Sequence, residues 1–417
     1  MTRTPAAITG AFLLGLVAAA CAHEGPVYNY PVTVDDVTIN QHNRSVVCDA
    51  KGAQTILIEQ TLTINSRRAA EEFVAPSVSW RDGSAAASLG DVTVRRDGRT
   101  VFHLGPRPDG PDIALTASDD GVGPMRRAEV PLPELQSGDV VEWAVELRRK
   151  PLIEGHIFAQ MAWSAAHPVE QGRFSLQAPR DTKLQSRSWG PVGEPLVVPE
   201  DDHKTWLWRV EQTIKPIQPT EGQILPQTIV STAHSWDVVA EWLRARLMAS
   251  GGELGDGEGA ELVASVADLS HRERVQGVLD HVRESLLLPH VKPWNDPFTA
   301  RTPAAVLESG IGDCKDRAWL IYRVLQEAGL TPHLAVTGLS RGIPPLSEQP
   351  PNPLLFDHVL AGASGPGTTI WLDPTGAAEE QLDRGQTLDA LVLGEERAPT
   401  VPIDRLHRPT GPEVATR

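Results

Sequence analysis

The chain has 417 residues, with 54 acidic side chains, 38 basic side chains and a formal net charge of −16 at pH 7. Phosphate binding needs a basic surface, so this charge argues against nucleic acid as a partner. The length allows two or three domains, each able to bury its own core. Three cysteines are too few for a disulfide framework.

The N-terminus has the pattern of a secretory signal. Arg3 precedes an apolar run over residues 6–20, which is short for a membrane span, and small residues come directly before Cys21. We therefore expect residues 1–20 to be a signal peptide and the mature protein to be exported. Residues 17–21 resemble a bacterial lipobox, which predicts lipid attachment and membrane anchoring at Cys21. Ordinary cleavage after an Ala-x-Ala site is the alternative.

The next part of the chain is predicted to be β-rich. Residues 21–45 hold little pattern, and we expect them to be a tether. Residues 46–219 contain many short alternating strands separated by turns, which is typical of a β-sandwich. Asp97-Gly98 marks the turn of one hairpin. This part has no cluster of catalytic residue types, so we interpret it as a binding or scaffolding domain, with Cys48 as a small buried apolar residue.

A Pro-rich stretch at 215–219 marks the expected boundary to a second domain over residues 220–394. Its predicted elements are helices opening near residues 235, 270 and 303, a glycine- and acid-rich loop at 251–259, and strands near residues 333, 358 and 371. Ser270 and Glu273 have the spacing of a capping box. Residues 395–417 are polar and contain proline, so we expect a disordered tail.

The stretch at 310–316 places a lone cysteine, Cys314, at the start of a helix predicted over residues 314–328. Asp313 is a good N-cap, and Asp316 has the spacing to reach back as in a capping box. Apolar residues recur at helical spacing from Cys314, so we expect the thiol on the inward face. The positive end of the helix dipole favours the thiolate there.

A nucleophilic cysteine needs a base, and the base needs an orienting group. His358 and Asp373 lie on two predicted strands joined by a turn at 362–367, and their midpoint, 365.5, falls inside that turn. An antiparallel hairpin would therefore place the two side chains opposite each other or nearly so, with Cβ atoms about 5 Å apart. The imidazole can then bind the carboxylate through one nitrogen and face the thiol with the other.

These motifs resemble those of bacterial transglutaminase-like proteins of the papain-like cysteine enzyme superfamily. The resemblance rests on Gly-Asp-Cys-Lys-Asp at 312–316, Asp-His-Val at 357–359 and Trp-Leu-Asp-Pro-Thr at 371–375, and it covers roughly residues 236–376. It implies that Cys314 is the nucleophile, His358 the base and Asp373 the orienting group.

The region before this core resembles a β-rich domain of unknown function, DUF3857-like, that often precedes it. The resemblance rests on residues 129–143 and 158–169. The expected fold is therefore a multidomain chain with an N-terminal all-β sandwich followed by an α+β transglutaminase-like, papain-like cysteine-enzyme core.

The resemblance implies an enzyme that acts on amide or peptide carbonyls of a protein or peptide substrate through a thioester, with no cofactor, and the predicted signal implies that it is exported. Hydrolysis is favoured over cross-linking because water is the abundant acceptor in a periplasm. The expected location is the bacterial envelope, as a periplasmic and outer-membrane lipoprotein anchored through Cys21. The alternative is a catalytically silent envelope binding or assembly module with a vestigial triad. The oligomeric state is left open.

Several other residues have two interpretations. Trp294 is a candidate to line the cleft near the oxyanion, against ordinary packing. Lys315 and Asp316 belong either to substrate binding or to a solvated first helical turn. His333 is a rival base on a neighbouring strand, whereas Asp357 is expected to be structural. One Cys, one His and one Asp could bind zinc, but no Cys-x-x-Cys or His-x-x-x-His pair supports a metal site.

Overall fold

The computed structural model of the chain describes residues 36–73, 77–81, 85–106, 114–118, 125–129, 132–163, 167–215, 224–288, 298–339, 344–365, 367–383, 386–394 and 399–408. The expected signal peptide over residues 1–20, the lipidation site Cys21 and the cleft candidate Trp294 lie outside these described residues.

The N-terminal part of the molecule consists of strands and one short helix. In chain order these elements are β1 (Val37–Cys48), β2 (Gln54–Ile64), α1 (Arg67–Glu72), β3 (Ser77–Arg81), β4 (Ala85–Arg96), β5 (Arg99–Leu104), β6 (Ala114–Ser118), β7 (Met125–Glu129), β8 (Val140–Arg149), β9 (Phe158–Ala162), β10 (Val169–Pro179), β11 (Gln185–Trp189), β12 (Leu196–Pro199), β13 (His203–Arg209) and β14 (Gln227–Ser231).

These strands form one large sheet and two small ones. The large sheet has the order β12-β13-β10-β1-β2-β8-β4-β5, and the small sheets have the orders β11-β14-β9 and β3-β7-β6. Buried side chains of the large sheet, such as Trp143 and Phe174, share one apolar cluster with Met161 of β9 and Val230 of β14. The predicted Asp97-Gly98 turn is confirmed, because both residues have positive φ, 50° and 73°, as a two-residue hairpin loop requires.

The expected tether over residues 21–45 is wrong for its last part, because β1 begins at Val37. This strand pairs antiparallel with β2 and parallel with β10, so it lies inside the large sheet. The prediction failed because the middle of β1, residues 40–45, is polar and breaks the alternating pattern. Pairing on both sides satisfies its backbone regardless of that pattern.

The C-terminal part mixes helices with a second large sheet. Its elements are α2 (Trp236–Leu247), α3 (Glu258–Val266), α4 (His271–Ser285), α5 (Pro303–Ser309), α6 (Cys314–Glu327), β15 (Pro332–Thr337), β16 (His358–Gly365), β17 (Thr368–Leu372), α7 (Glu379–Asp383), β18 (Leu388–Val392) and β19 (Thr400–Ile403).

Helix α6 is the central element of this part. It packs on β15 and β16 of an antiparallel sheet with the order β17-β16-β15-β18-β19, and α3, α4 and α5 contact it from other sides. Its apolar side chains are buried in one cluster with those of α2, α4 and the sheet. The capping box predicted at Ser270 is confirmed at the start of α4. The chain is therefore a multidomain, strongly β-rich protein. None of the described helices is long and apolar enough to cross a bilayer.

The loop at 251–259 is shorter than expected, because α3 begins at Glu258, and the carbonyls of Gly251 and Gly252 accept hydrogen bonds from α6.

The disordered tail expected over residues 395–417 is wrong for residues 399–408, because β19 pairs with β18 and Leu406 is buried. The expected boundary at residue 219 lies outside the described residues, and β14, which follows it, joins the sheet of β9 and β11.

Candidate active site

The loop before Cys314 is held in a fixed shape. Gly310 ends α5 in the left-handed conformation, with φ 63°, where a glycine has no steric cost. Asp313 then caps α6, as predicted, by accepting the backbone N–H groups of Lys315 at 3.1 Å and Asp316 at 3.2 Å. Cys314 is the first residue of α6, and its side chain is partly exposed. The thiol is therefore presented at a capped helix N-terminus.

The two charged residues after Cys314 are buried, so the interpretation as a solvated first turn is wrong. Lys315 is 3% exposed and donates to the Asp313 carboxylate, while Asp316 is 1% exposed. Asp316 does not close a capping box; it binds the backbone N–H and Nε of Arg301 at 2.9 and 3.0 Å. Burial lowers the pKa of Lys315, but the charges of Asp313 and Asp316 outweigh it and raise that pKa.

His358, the first residue of β16, lies between the thiol and the carboxylate. Its side chain is 4% exposed, and Nε2 is 2.9 Å from Asp373 Oδ1. The Cys314 thiol lies beside the same ring, and a hydrogen bond to it is one cause of the raised pKa of His358. Because Nε2 is used by Asp373, Nδ1 is the ring nitrogen left for the sulfur. The structure therefore brings all three predicted residues together.

The register of the β16–β17 hairpin differs from the expected one. Ala361 pairs with Leu372 and Gly365 with Thr368, so residue 375, not Asp373, falls opposite His358. The two side chains are diagonal neighbours on one face of the sheet, and β17 ends just before Asp373. The offset arises because β16 continues to Gly365 and β17 begins only at Thr368. Strand β16 runs through most of the segment expected to be the turn.

Asp373 is fully buried and accepts hydrogen bonds on both oxygens. Oδ1 accepts from His358, from the backbone N–H of Thr375 at 2.8 Å and from its hydroxyl at 3.0 Å. Oδ2 accepts from the backbone N–H of Ala378 at 2.6 Å. The turn after β17 thus supplies the donors that orient the carboxylate toward the imidazole.

The charges of this pair favour the ionised forms. Burial lowers the pKa of His358, but the Asp373 charge, its hydrogen bond and the bond to Cys314 outweigh burial and raise it to about 10. Burial raises the pKa of Asp373, yet the His358 charge and the donated hydrogen bonds hold it well below its usual value. The pair is therefore an imidazolium bound to a carboxylate at neutral pH.

Two arginines at the site were not predicted. Arg317 is 4% exposed and donates to three carbonyl oxygens from three segments: Gly312 at 2.7 Å, Leu286 at 2.7 Å and Pro374 at 3.2 Å. Burial, and then the charge of Arg283, lowers the pKa of Arg317 to about 10.

Arg283, on α4, donates to the Asp373 carbonyl and pairs with Glu379 at 2.6 Å. The spacing of Arg317 from Cys314, i and i+3 on one helix face, is the one signal in the sequence that could have indicated its role.

The remaining candidates lie elsewhere or are structural. Asp357 accepts the backbone N–H of Leu339, as expected for a structural residue. His333 bonds to the Ser364 hydroxyl at 2.7 Å and lies four residues before the strand partner of His358, about 13 Å along the sheet. Burial raises the pKa of Cys48 to about 12.

The comparisons with known proteins support the fold. Residues 50–217 match DUF3857, a domain of unknown function with a solved structure. No curated protein matches the chain. A crystal structure of a candidate protease from Parabacteroides distasonis superposes with a TM-score of 0.72, at 16% identity, over 89% of this chain and 72% of that chain.

An M1 zinc metallopeptidase from Deinococcus radiodurans aligns over 72% of this chain and 65% of its own, at 8% identity, but its TM-score is only 0.25. This TM-score is too low to indicate a shared fold. The chain thus contains a DUF3857 domain and shares its overall fold with a bacterial candidate protease.

Proposed function

We propose that this protein is an exported, transglutaminase-like cysteine enzyme that cleaves amide or peptide bonds through a thioester. The observation that carries the proposal is the buried His358, bound to Asp373 on one side and to the Cys314 thiol on the other. A structural cysteine needs no such partner, whereas an activated nucleophile needs a base that is itself oriented.

In the proposed reaction, the Cys314 thiolate attacks the carbonyl carbon and forms a C–S bond. The C–N bond then breaks, and the departing amine takes the proton of the His358 imidazolium. Water next attacks the thioester carbonyl and gives a proton to His358; the C–S bond breaks, which releases a carboxylic acid and restores the Cys314 thiolate beside the imidazolium. Asp373 stabilises the imidazolium throughout and is not itself protonated.

The oxyanion formed in each attack needs a donor. The Asp313 carboxylate accepts hydrogen bonds from the N–H groups of Lys315 and Asp316 but not from that of Cys314. Among the described residues, the Asp313 cap thus leaves the Cys314 N–H at the positive end of α6, and we assign this N–H to the oxyanion.

Two further points favour this function. First, the fold is similar to that of a candidate protease, which is consistent with cleavage of peptide bonds. Second, the motifs around the triad resemble those of transglutaminase-like proteins. The predicted signal and Cys21 fit a periplasmic lipoprotein on the outer membrane. Water is abundant in that compartment, so we favour hydrolysis over transfer to an amine.

Alkylation by iodoacetamide at mildly acid pH tests the activated pair. We expect Cys314 to react faster than a free thiol, because His358 stabilises the thiolate, and to slow in His358→Ala. Cys48 is an internal control, since it is buried and its pKa is raised to about 12. Rates are read by mass spectrometry of the two cysteine peptides. Labelling of Cys314 at the free-thiol rate in both proteins would reject the enzyme and leave the silent binding module.

A further inference from the structure

An exposed apolar pair lies beside the proposed nucleophile. Leu287 follows the end of α4 and is 71% exposed, and Ile311 lies in the loop before Cys314 and is 41% exposed. Leu286, which directly precedes Leu287 in the chain, is by contrast 5% exposed and belongs to the core. Leu288, the next residue, is 47% exposed, so the chain leaves the core directly after Leu286 and exposes its apolar side chains there.

The two residues are held side by side by the backbone. The N–H of Leu287 donates to the Gly310 carbonyl at 2.8 Å, and the N–H of Gly312 donates to the Leu287 carbonyl at 3.1 Å. These bonds make Leu287 and Ile311 partners in a parallel bridge. Bridge partners project on the same side, so the two side chains form one continuous apolar surface, which we call the Leu287–Ile311 surface.

Two arginine side chains near the site hold the backbone that carries the Leu287–Ile311 surface. Arg301 donates to the Ile311 carbonyl, and Arg317 donates to the Leu286 carbonyl at 2.7 Å. Because the backbone under these apolar side chains is fixed, little backbone conformational entropy is lost when a ligand covers them. A preformed subsite needs such a fixed backbone.

The distance to the thiol limits what the surface can contact. Three trans peptide units separate Ile311 from Cys314, so their Cα atoms are at most about 11 Å apart. An extended peptide advances about 3.3–3.6 Å per residue, so a substrate side chain that contacts the surface must lie within about three positions of the scissile bond.

We propose that the Leu287–Ile311 surface is a specificity subsite for an aliphatic side chain of the substrate, close to the bond that is cleaved. The inference rests on the proposed function for its chemistry and names the class of substrate: peptides with Leu, Ile or Val near the scissile amide. Neither side chain of the bridge pair carries a hydrogen-bond donor or acceptor, so a polar substrate side chain that covered the pair would lose water without gaining a partner from it.

The test uses peptide vinyl sulfones in which one residue moves through the three positions before the electrophile, in an Ala-Gly background. The Cys314 sulfur adds to the vinyl carbon, and the carbanion takes the His358 proton. Each probe is made with Leu and with the nearly isosteric Asn. We expect labelling of the full chain to favour Leu by about tenfold or more at one position, because apolar pockets discriminate on this scale.

Two variants connect the preference to these residues. Leu287→Asn and Ile311→Asn add no charge near the thiol, and both should lower the Leu-to-Asn ratio toward one while iodoacetamide labelling of Cys314 stays at the wild-type rate. The matched control is Leu196→Asn, because Leu196 is 59% exposed on β12 of the other domain. It should keep the wild-type ratio.

A second measurement separates failure of this inference from failure of the proposed function. Binding of the Leu and Asn peptides, as fluorescent amides, is compared in Cys314→Ala, where no covalent step can occur. Tighter binding of the Leu peptide that is lost on adding Leu287→Asn supports the subsite even if Cys314 is unreactive. Equal labelling and equal binding of the two peptides, or a preference that both substitutions leave intact, would overturn it.

Discussion

Asp373 sets the protonation state of the histidine in the candidate site. The side chain of His358 is buried, and burial alone lowers its pKa; the Asp373 charge is the largest effect that raises it to about 10. The folded-state pKa is above the unfolded value of 6.5. The raised pKa of His358 therefore contributes stability that is fully present below pH 6.5 and is lost as pH rises toward 10.

Replacing Asp373 by Asn should therefore abolish the ion pair at neutral pH. Without the carboxylate charge, the largest cause that raises the pKa of His358 is lost while burial still lowers that pKa, so the imidazolium that stabilises the thiolate is disfavoured. We expect alkylation of Cys314 at pH 6 to slow by about tenfold or more, as one pKa unit or more of lost interaction predicts. The measurement is the alkylation rate from pH 5 to 10. An Asp373→Asn profile that coincides with the wild type would contradict the assigned role.

Arg317 is the residue whose loss should disturb the site most without removing a member of the triad. Arg317→Met leaves the carbonyls of Gly312, Leu286 and Pro374 without their charged donor. Hydrogen bonds to charged groups contribute about 1.5–3 kcal/mol each, so we expect about 3 kcal/mol less stability in urea unfolding. The Lys side chain of Arg317→Lys can reach fewer of these carbonyls, so the stability of this variant should lie between those of the wild type and Arg317→Met. A loss below about 1 kcal/mol in the Met variant would show that the three bonds are dispensable.

At the scale of elements, the β16–β17 hairpin holds His358 and Asp373 in their diagonal relation. Gly362 pairs with Trp371, and a Cβ added at Gly362 would lie 2.8 Å from the Trp371 ring and 3.0 Å from the Ile370 carbonyl. The indole thus covers the place where a side chain would stand. This close contact explains the glycine in the middle of a strand, where glycine otherwise destabilises.

Gly362→Ala should therefore separate the two strands. Overpacking of this kind costs about 1–3 kcal/mol, and it should also slow Cys314 alkylation because the hairpin carries both partners of the thiol. Gly105→Ala is the matched control, since a Cβ at Gly105 meets no atom within 4 Å and should change neither quantity. Urea unfolding and the alkylation rate are measured on both. Equal behaviour of the two variants would mean that β16 can shift without cost.

At the scale of the whole molecule, a buried asparagine connects the two parts of the chain. Asn352 is fully buried and donates to the carbonyls of Ala159 at 3.3 Å and Val230 at 3.1 Å, both in the sheet of β9 and β14. Its own Oδ1 accepts the N–H of Leu354 at 2.9 Å. The segment that leads into His358 is thereby fixed to the β-rich part.

We expect Asn352→Ala to lower the free energy of unfolding by about 1–3 kcal/mol, because it leaves buried carbonyls unpaired. The control is Arg187→Ala, which breaks the exposed ion pair to Glu348 between the same two parts, at 3.3 Å. Exposed pairs contribute about 0–1 kcal/mol, so that variant should unfold almost as the wild type does. Urea unfolding distinguishes them. A larger loss for Arg187→Ala would reverse the assigned importance of the two contacts.

Local patterns were sufficient to predict several features of this fold. The N-cap at Asp313, the capping box at Ser270, the turn at Asp97-Gly98 and the helix after Cys314 depend on residues within a few positions of one another. Their hydrogen bonds close within one or two turns, so the short-range sequence determines them. The three residues of the candidate site were also identified from motifs and order along the chain, and the structure brings them into contact.

Only the tertiary structure decided the rest. The diagonal relation of His358 to Asp373, the bonds of Arg317 to three separate segments and the place of β1 beside β10 all join residues far apart in sequence. A solvated first turn was one of two interpretations of Lys315, yet this residue is buried because the surrounding elements cover the first turn of α6. Burial and long-range pairing are properties of the packed chain, and no periodicity along the sequence contains them.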